Sequence, residues 1–307
     1  MGRYLLKRLI QAPLVLWLVV TCSFFLMRYA PGGPFDDERK VPPEVEAALL
    51  AQYHLDDPLP VQYLHFMGDL VQGDLGPAFK YPGRRVNDII LDRLWPTLLL
   101  GAYALALAVA SGVAIGVIGA RLHNSAIDHS TMVVALLGVS IPMFVVGPLL
   151  LLVFQTHLRW VAPPGESGPG FWYLTLAAIC LGAPFASRIA RLARAGMLEV
   201  VNQDFARTAR AKGVPEWRIV SVHCLRGALT PVVSFLGPAV AAVLTGSLVV
   251  ESIFLLKGLG YELVFAAFNR DYTLVIGTVV VYSAMLIVAN LLVDLCYGVL
   301  DPRVRYD

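Results

Sequence analysis

The chain has 307 residues, 57% of them hydrophobic and only 15% charged, with a net charge of +2. Soluble domains sit near about 45–50% apolar and about 25% charged, so the composition excludes a water-soluble enzyme and a disordered chain. The small net charge excludes a nucleic-acid binder that works by counterion release.

A bilayer core about 30 Å thick needs roughly 20 apolar residues in a helix. Six charge-free stretches meet or approach that length: Leu9–Met27, Leu94–Ala120, Ser130–Thr156, Gly170–Ser187, Gly227–Val250 and Tyr272–Val293. The fold class they predict is an all-α polytopic membrane protein with six spans. The first stretch follows Arg3, Lys7 and Arg8, as a signal peptide would. Its apolar run is longer than an ordinary h-region and no A-x-A site follows, so it reads as a retained span.

Lys and Arg in short loops set orientation. With the N-terminus in the cytosol, the inside segments hold 14 such residues and the short outside loops hold three, Arg159, Lys257 and Arg270. Both termini are therefore expected in the cytosol. The division that follows is residues 1–27 as tail and first span, 28–93 as an external segment, 94–294 as the main transmembrane domain and 295–307 as a cytosolic tail.

Residues 28–93 open with Pro31-Gly32-Gly33-Pro34, and Pro42-Pro43-Glu44 begins an expected helix through Tyr53. Pro and Glu suit a first turn. A second helix is expected over Val61–Val71, then a turn at Gly73-Asp74-Leu75-Gly76-Pro77, then an amphipathic lead-in over Arg84–Leu94. The segment carries eleven acids, which suits a solvated cap or a docking surface for an external partner.

Residues 188–229 form the main cytosolic segment. Arg188, Arg191 and Arg194 continue the fourth helix out of the membrane. Ala209 and Gly213 are four apart, a spacing that places two nearly bare positions on one helix face. Gly213 also suits a helix C′ position, and Pro215 suits the start of the next helix, expected over Pro215–Leu229. Arg207, Arg210, Lys212 and Arg218 surround this break.

Breaking residues fall inside three spans: Pro142 and Pro148, Gly182 and Pro184, and Gly237-Pro238. Proline frees a carbonyl that needs another partner, and such breaks often line cavities. Pro142, Pro184, Pro238, Glu251 and the run Asn269-Arg270-Asp271 are thus candidate gate or pathway residues. Gly112, Gly116 and Gly119 predict close helix packing. Glu251 and Asp294 are the acids nearest the membrane. No acid lies near mid-span, which weighs against a proton-coupled secondary carrier.

No nucleophile with a nearby base is visible, so a membrane-embedded hydrolase is not expected. The six histidines lack a metal-ligand spacing, and no two of the four cysteines, Cys22, Cys180, Cys224 and Cys296, are close in sequence. Neither a metal site nor a disulfide scaffold is expected. The phosphate loop G-x4-GK[ST] is absent.

The segment 207–231 resembles the cytosolic signature loop of the membrane subunits of ATP-binding-cassette importers. The general pattern, E-A-A-x3-G-x9-I-x-L-P, matches only at Ala209, Gly213 and Leu225. The variant of the peptide and nickel branch, R-T-A-R-A-K-G…H-x-L-x-x-A-L-x-P, fits Arg207, Thr208, Ala209, Arg210, Ala211, Lys212 and Gly213, then His223, Leu225, Ala228, Leu229 and Pro231. Also similar to that branch are Arg28–Gly32, Val249–Glu251, Gly258-Leu259-Gly260, Asn269–Tyr272 and Asp301-Pro302-Arg303. Pro42–Val45, Tyr53–Pro58 and Gly73–Tyr81 look most like its oligopeptide-transporting members. Lys257 stands where the branch usually has Pro, and Ala78 where Ser is common.

The resemblance implies a type I importer permease that performs no chemistry itself and holds no cofactor. It would form half of a pathway with a second homologous permease subunit. Two cytosolic ATPase subunits, carrying ATP and Mg, would drive it, and a periplasmic peptide-binding protein would deliver substrate. The expected ATPase-coupling loop is Arg207–Gly213 with His223 and Leu225. The expected setting is the lipid of a bacterial inner membrane, with no nucleic-acid partner. Dipeptides, glutathione or nickel are the alternative cargoes of the same machinery.

Overall fold

The computed structural model describes residues 2–29, 55–165 and 170–300. The expected loop at Pro31–Pro34, the expected helix from Pro42 to Tyr53 and the tail motif at Asp301–Arg303 lie outside these residues, as does the Asp294 side chain. In chain order the helices are α1 (Gly2–Tyr29), α2 (Leu59–Val71), α3 (Val86–Arg121), α4 (Ala126–Ser140), α5 (Met143–Leu150), α6 (Phe171–Val201), α7 (Asp204–Ala211), α8 (Glu216–Arg218), α9 (Leu225–Ala228), α10 (Thr230–Ile253), α11 (Leu259–Phe268) and α12 (Tyr272–Leu300). Two π-helical stretches, Leu151–His157 and Ile219–Cys224, continue α5 and join α8 to α9. The described residues contain no β-strand, only an isolated bridge between Pro77 and Arg85.

Five helices are long and apolar enough to cross a membrane: Ile10–Tyr29 within α1, then α3, α6, α10, and Tyr272–Val293 within α12. They coincide with five of the six apolar stretches. The sixth, Ser130–Thr156, is not one straight span. α4 and the α5 pair that follows pass the same test only together, with a bend of 106° between them. The cause is local. Pro142 disfavours helical backbone at the residue before it, and Ile141 is extended with φ −90° and ψ 122°. Pro142 then starts α5, its carbonyl accepting from the Val145 and Val146 N–H groups at 2.9 and 3.1 Å.

The other expected breaks do not interrupt their helices. α6 runs through Gly182 and Pro184, and α10 runs through Gly237 and Pro238. Interior proline removes one hydrogen bond, which neighbouring helices and side chains can compensate within a membrane. The two glycines serve packing. A Cβ on Gly182 would stand 2.8 Å from the Ala104 carbonyl oxygen, and one on Gly237 would meet Val293. The amphipathic lead-in is the first part of α3, a single helix of 36 residues. At 1.5 Å per residue it is about 54 Å long, more than a bilayer core requires.

Contacts divide the described residues into two compact units, one built of those up to Thr97 with Lys257–Val288, the other of Leu98–Leu256 with α12 from Ala289. In the first unit, Val20 and Phe24 of α1 pack with Val86, Ile89, Leu274 and Ile276. Phe24 and Phe25 contact Tyr63 of α2, whose hydroxyl lies 2.8 Å from Thr21 Oγ1. The expected turn at Gly73–Pro77 is present, with left-handed backbone at Gly73 and Gly76. Asn87 ties it to α3 by accepting from the Leu75 N–H and donating to the Gly73 carbonyl.

In the second unit α6 is the most enclosed of the span candidates. Gly112 and Gly116 of α3 face it at contact distance. A Cβ on either would come within 2.6 Å of a carbonyl oxygen of α6, Ala186 and Ala190 respectively. This is the close packing read from the glycine spacing, and small residues are what membrane helices use to approach one another.

Candidate functional site

The chain following α6 folds back as a bracket. α7 begins at Asp204 and ends after Ala211. Its end is a Schellman motif: the Gly213 N–H donates to the Arg210 carbonyl at 2.9 Å and the Val214 N–H to the Ala209 carbonyl at 3.1 Å. Gly213 has φ +76°, a left-handed conformation glycine adopts without penalty. Nothing stands within 4 Å of where its Cβ would be, so the turn requires glycine for its backbone and not for space.

The helix-face expectation for Ala209 and Gly213 is therefore corrected, because Gly213 lies beyond the helix end. The buried face of α7 is Ala206 with Ala209, packed into a cluster with Met197 and Val200 of α6 and with Ile219, Cys224 and Ala228. The return segment is also not one helix over Pro215–Leu229. It is α8, a π-helical turn and α9, before α10 starts at Thr230. Close approach fixes it to α6: a Cβ on Gly196 would fall 2.3 Å from the Ala228 carbonyl oxygen.

Arg210 closes the bracket. Its Nε and Nη2 donate to the two Glu216 carboxylate oxygens at 3.1 and 2.8 Å, and its Nη1 donates to the Val201 carbonyl at 3.2 Å. One guanidinium thus joins the end of α6, α7 and the start of α8. Arg210 hydrogen bonding holds the Glu216 carboxyl below the usual carboxylate range and raises Arg210 in turn. Burial pushes the Cys224 thiol up.

The residues of the expected coupling loop differ in packing. Arg207, Thr208, Arg210, Ala211, Lys212, Gly213 and His223 are exposed, Arg210 while forming the internal brace, whereas Leu225 packs against the cluster. Thr208 Oγ1 donates to the Asp204 carbonyl within its own helix. Phe205, Trp217 and Val222 are exposed hydrophobics on the same bracket, at 44%, 63% and 58%. Sequence reasoning passed over these three, although a large aromatic in a basic, otherwise polar segment is the mark of a contact surface.

The candidate pathway residues divide. Pro142 ends α4, Pro184 and Pro238 lie within continuous helices, and Glu251 is buried near the end of α10. Asn269, Arg270 and Asp271 form the turn between α11 and α12. Arg270 sits at φ +56° in a second Schellman-type end, with the Asp271 N–H donating to the Ala266 carbonyl. Asp271 is fully buried and caps α12, accepting from the Leu274 N–H at 3.1 Å and from the Lys80 N–H at 2.9 Å. That arrangement is a structural clasp on the 72–85 loop. Next to it Glu262, only 1% exposed, pairs with Arg93 at 2.7 Å and accepts from the Tyr81 hydroxyl at 3.0 Å. Burial, then Glu262, pushes the Tyr81 phenol up to about 12.

No group of three or more potential metal-ligating side chains occurs among the described residues.

Residues 112–306 match the family described as binding-protein-dependent transport system inner membrane component, and residues 1–100 match its N-terminal region. The chain is 43% identical over 306 residues to the oligopeptide transport system permease protein OppB of Escherichia coli K12, covering 100% of both chains. It is 42% identical to the dipeptide transport system permease protein DppB of Bacillus subtilis 168, covering 99% of this chain and 98% of that one. Among solved structures, an amino acid ABC transporter with histidines aligns with a TM-score of 0.51 at 19% identity, over 69% of this chain and 94% of that chain. That likeness is one of fold.

Proposed function

The chain belongs to the binding-protein-dependent transport system inner membrane component family, and on that premise we propose that it is a permease subunit of an ATP-driven peptide importer, a multi-pass protein of the inner membrane. Peptide is the cargo class named for both the E. coli and the B. subtilis relatives. Whole-length similarity to the oligopeptide permease favours the longer peptides. The chain carries no reaction and no cofactor of its own. ATP and Mg belong to two cytosolic ATPase subunits, a second permease subunit completes the pathway, and an external binding protein delivers the peptide. Both termini and the α7–α9 bracket face the cytosol, in keeping with the 14-to-3 basic asymmetry.

The observation that carries the coupling role is the bracket itself. A rigid, internally stapled turn at the end of the best-buried helix presents Phe205, Arg207, Lys212 and Trp217 outward. A partner that pushes on that face must move α6. A photo-crosslinking residue at Phe205 or Trp217 in the assembled transporter tests this. Adducts with the ATPase subunit are expected, and adducts confined to lipid would contradict the assignment.

A further inference from the structure

We propose that the ion pair between Asp128 and Arg194 is a positioning strut that makes α4 move with α6 when the α7–α9 bracket is displaced. The inference rests on the importer reading above.

The pair is built for one geometry. Arg194 Nε donates to Asp128 Oδ1 at 2.6 Å and Arg194 Nη2 to Oδ2 at 2.7 Å. Such a bidentate fork fixes orientation as well as distance, and lysine cannot reproduce it. Asp128 is 2% exposed. Its carboxylate also accepts from the Asn124 N–H at 3.0 Å, and its own N–H donates to the N-cap hydroxyl of Ser125. Arg194 of α6 thus holds both carboxylate oxygens, and the turn leading into α4 holds Oδ2 as well.

His123 lies beside the pair, its Nδ1 3.2 Å from Arg194 Nη2 and 3.4 Å from Asp128 Oδ2. The junction is roofed by α3 at Gly119, where a Cβ would stand 3.2 Å from Asp128 Oδ1 and 3.5 Å from Arg194 Cδ.

A continuous mechanical path leads to this point. The Val201 carbonyl, held by Arg210, is seven residues from Arg194 on the same helix, or about 10 Å along its axis. The strut passes displacement from α6 to the first turn of α4, whose other end is the 106° bend. A second contact lies farther along the same pair of helices. A Cβ on Gly138 would be 3.6 Å from the Ser187 Cβ and would overlap the Ser187 hydroxyl. With a glycine seam at one end and a bidentate fork at the other, α4 and α6 are tied at two points.

The seam supplies the test, because 3.6 Å is within the about 3.5–4.5 Å between Cβ atoms that a disulfide spans. Three forms of the complete transporter in proteoliposomes are compared for peptide uptake and ATP hydrolysis: Arg194→Lys, Gly138→Cys with Ser187→Cys, and all three changes together. Arg194→Lys is expected to lower peptide imported per ATP by about tenfold while hydrolysis continues, because the coupling is lost and the ATPases are untouched. The oxidised cysteine pair alone is expected to leave uptake unchanged, and in the triple variant to restore it until reductant is added. Uptake blocked by the oxidised pair in an otherwise unaltered chain would show that α4 and α6 must slide past each other, and would overturn the proposal. So would Arg194→Lys lowering uptake and hydrolysis in parallel with the amount of assembled transporter, which is packing alone. Failure of the unaltered transporter to import peptide is read without any variant, and it strikes the importer reading instead.

Discussion

Gly196 of α6 and Ala228 of α9 touch backbone to backbone: a Cβ on Gly196 would lie 2.3 Å from the Ala228 carbonyl oxygen. The contact sets the root of the coupling bracket. Backbone cannot rotate aside as a flexible side chain can, so Gly196→Ala must part α6 from α9. Overpacking of this kind costs about 1–3 kcal/mol. A lower thermal unfolding temperature in detergent is expected, together with reduced uptake at equal protein levels. An unchanged melting curve would contradict the contact.

Gly213 separates backbone need from spatial need. Its surroundings are open, yet its φ is +76°. A left-handed conformation costs an ordinary L-residue roughly 1–2 kcal/mol, and Asn tolerates it best. Gly213→Val is expected to uncouple ATP hydrolysis from uptake, and Gly213→Asn to retain most uptake. Equal behaviour of the two variants would refute a conformational role.

Two glycines on helices give a matched pair. A Cβ on Gly116 would fall 2.5 Å from the Ala190 carbonyl oxygen, whereas one on Gly68 in α2 would have nothing within 4 Å. Gly116→Ala is expected to lower stability by about 1–3 kcal/mol. Gly68→Ala is expected to raise it by about 0.8–1.0 kcal/mol, the helix preference of alanine. Thermal denaturation of the purified protein distinguishes the signs.

Arg93 and Glu262 bear on the clasp beside α11. Removing one partner of a buried pair leaves an uncompensated charge and costs about 3–5 kcal/mol. Arg93→Met is therefore expected to destabilise far more than Arg93→Met combined with Glu262→Met. A double variant as unstable as the single one would sink this account.

Tyr81 adds a pH signature. Its folded-state pKa lies near 12, above the ordinary value of 10.0. A raised phenol favours the folded state while it stays protonated. That contribution is whole below pH 10 and is lost as pH climbs from 10 toward 12. Stability of the wild-type chain should fall more steeply across that window than that of Tyr81→Phe. Parallel curves would show that Tyr81 contributes nothing there.

Much of this was legible in the residue order. Apolar run length located the five long apolar helices and the bent pair, since a bilayer demands such runs. Pro142 marked the break, because proline acts on its immediate neighbour; the 106° angle depends on packing and was not readable. Spacing misled at Ala209 and Gly213, where a four-residue interval was read as one face although glycine ends the helix first. Arg194 was counted only as an orienting charge. Its partner is 66 residues away in sequence, so no local pattern joins the two. The brace that Arg210 makes was not readable, because Glu216 and the Val201 carbonyl come together only once the chain turns back.

The central claim is ATP-driven peptide import through this subunit. The most direct measurement is uptake of a labelled tetrapeptide into cells lacking the chain and into cells in which it is restored, each with and without a protonophore while ATP is maintained. The account predicts uptake that requires the chain and persists with the protonophore. Chain-dependent uptake abolished by the protonophore would contradict it, and so would uptake equal in both strains.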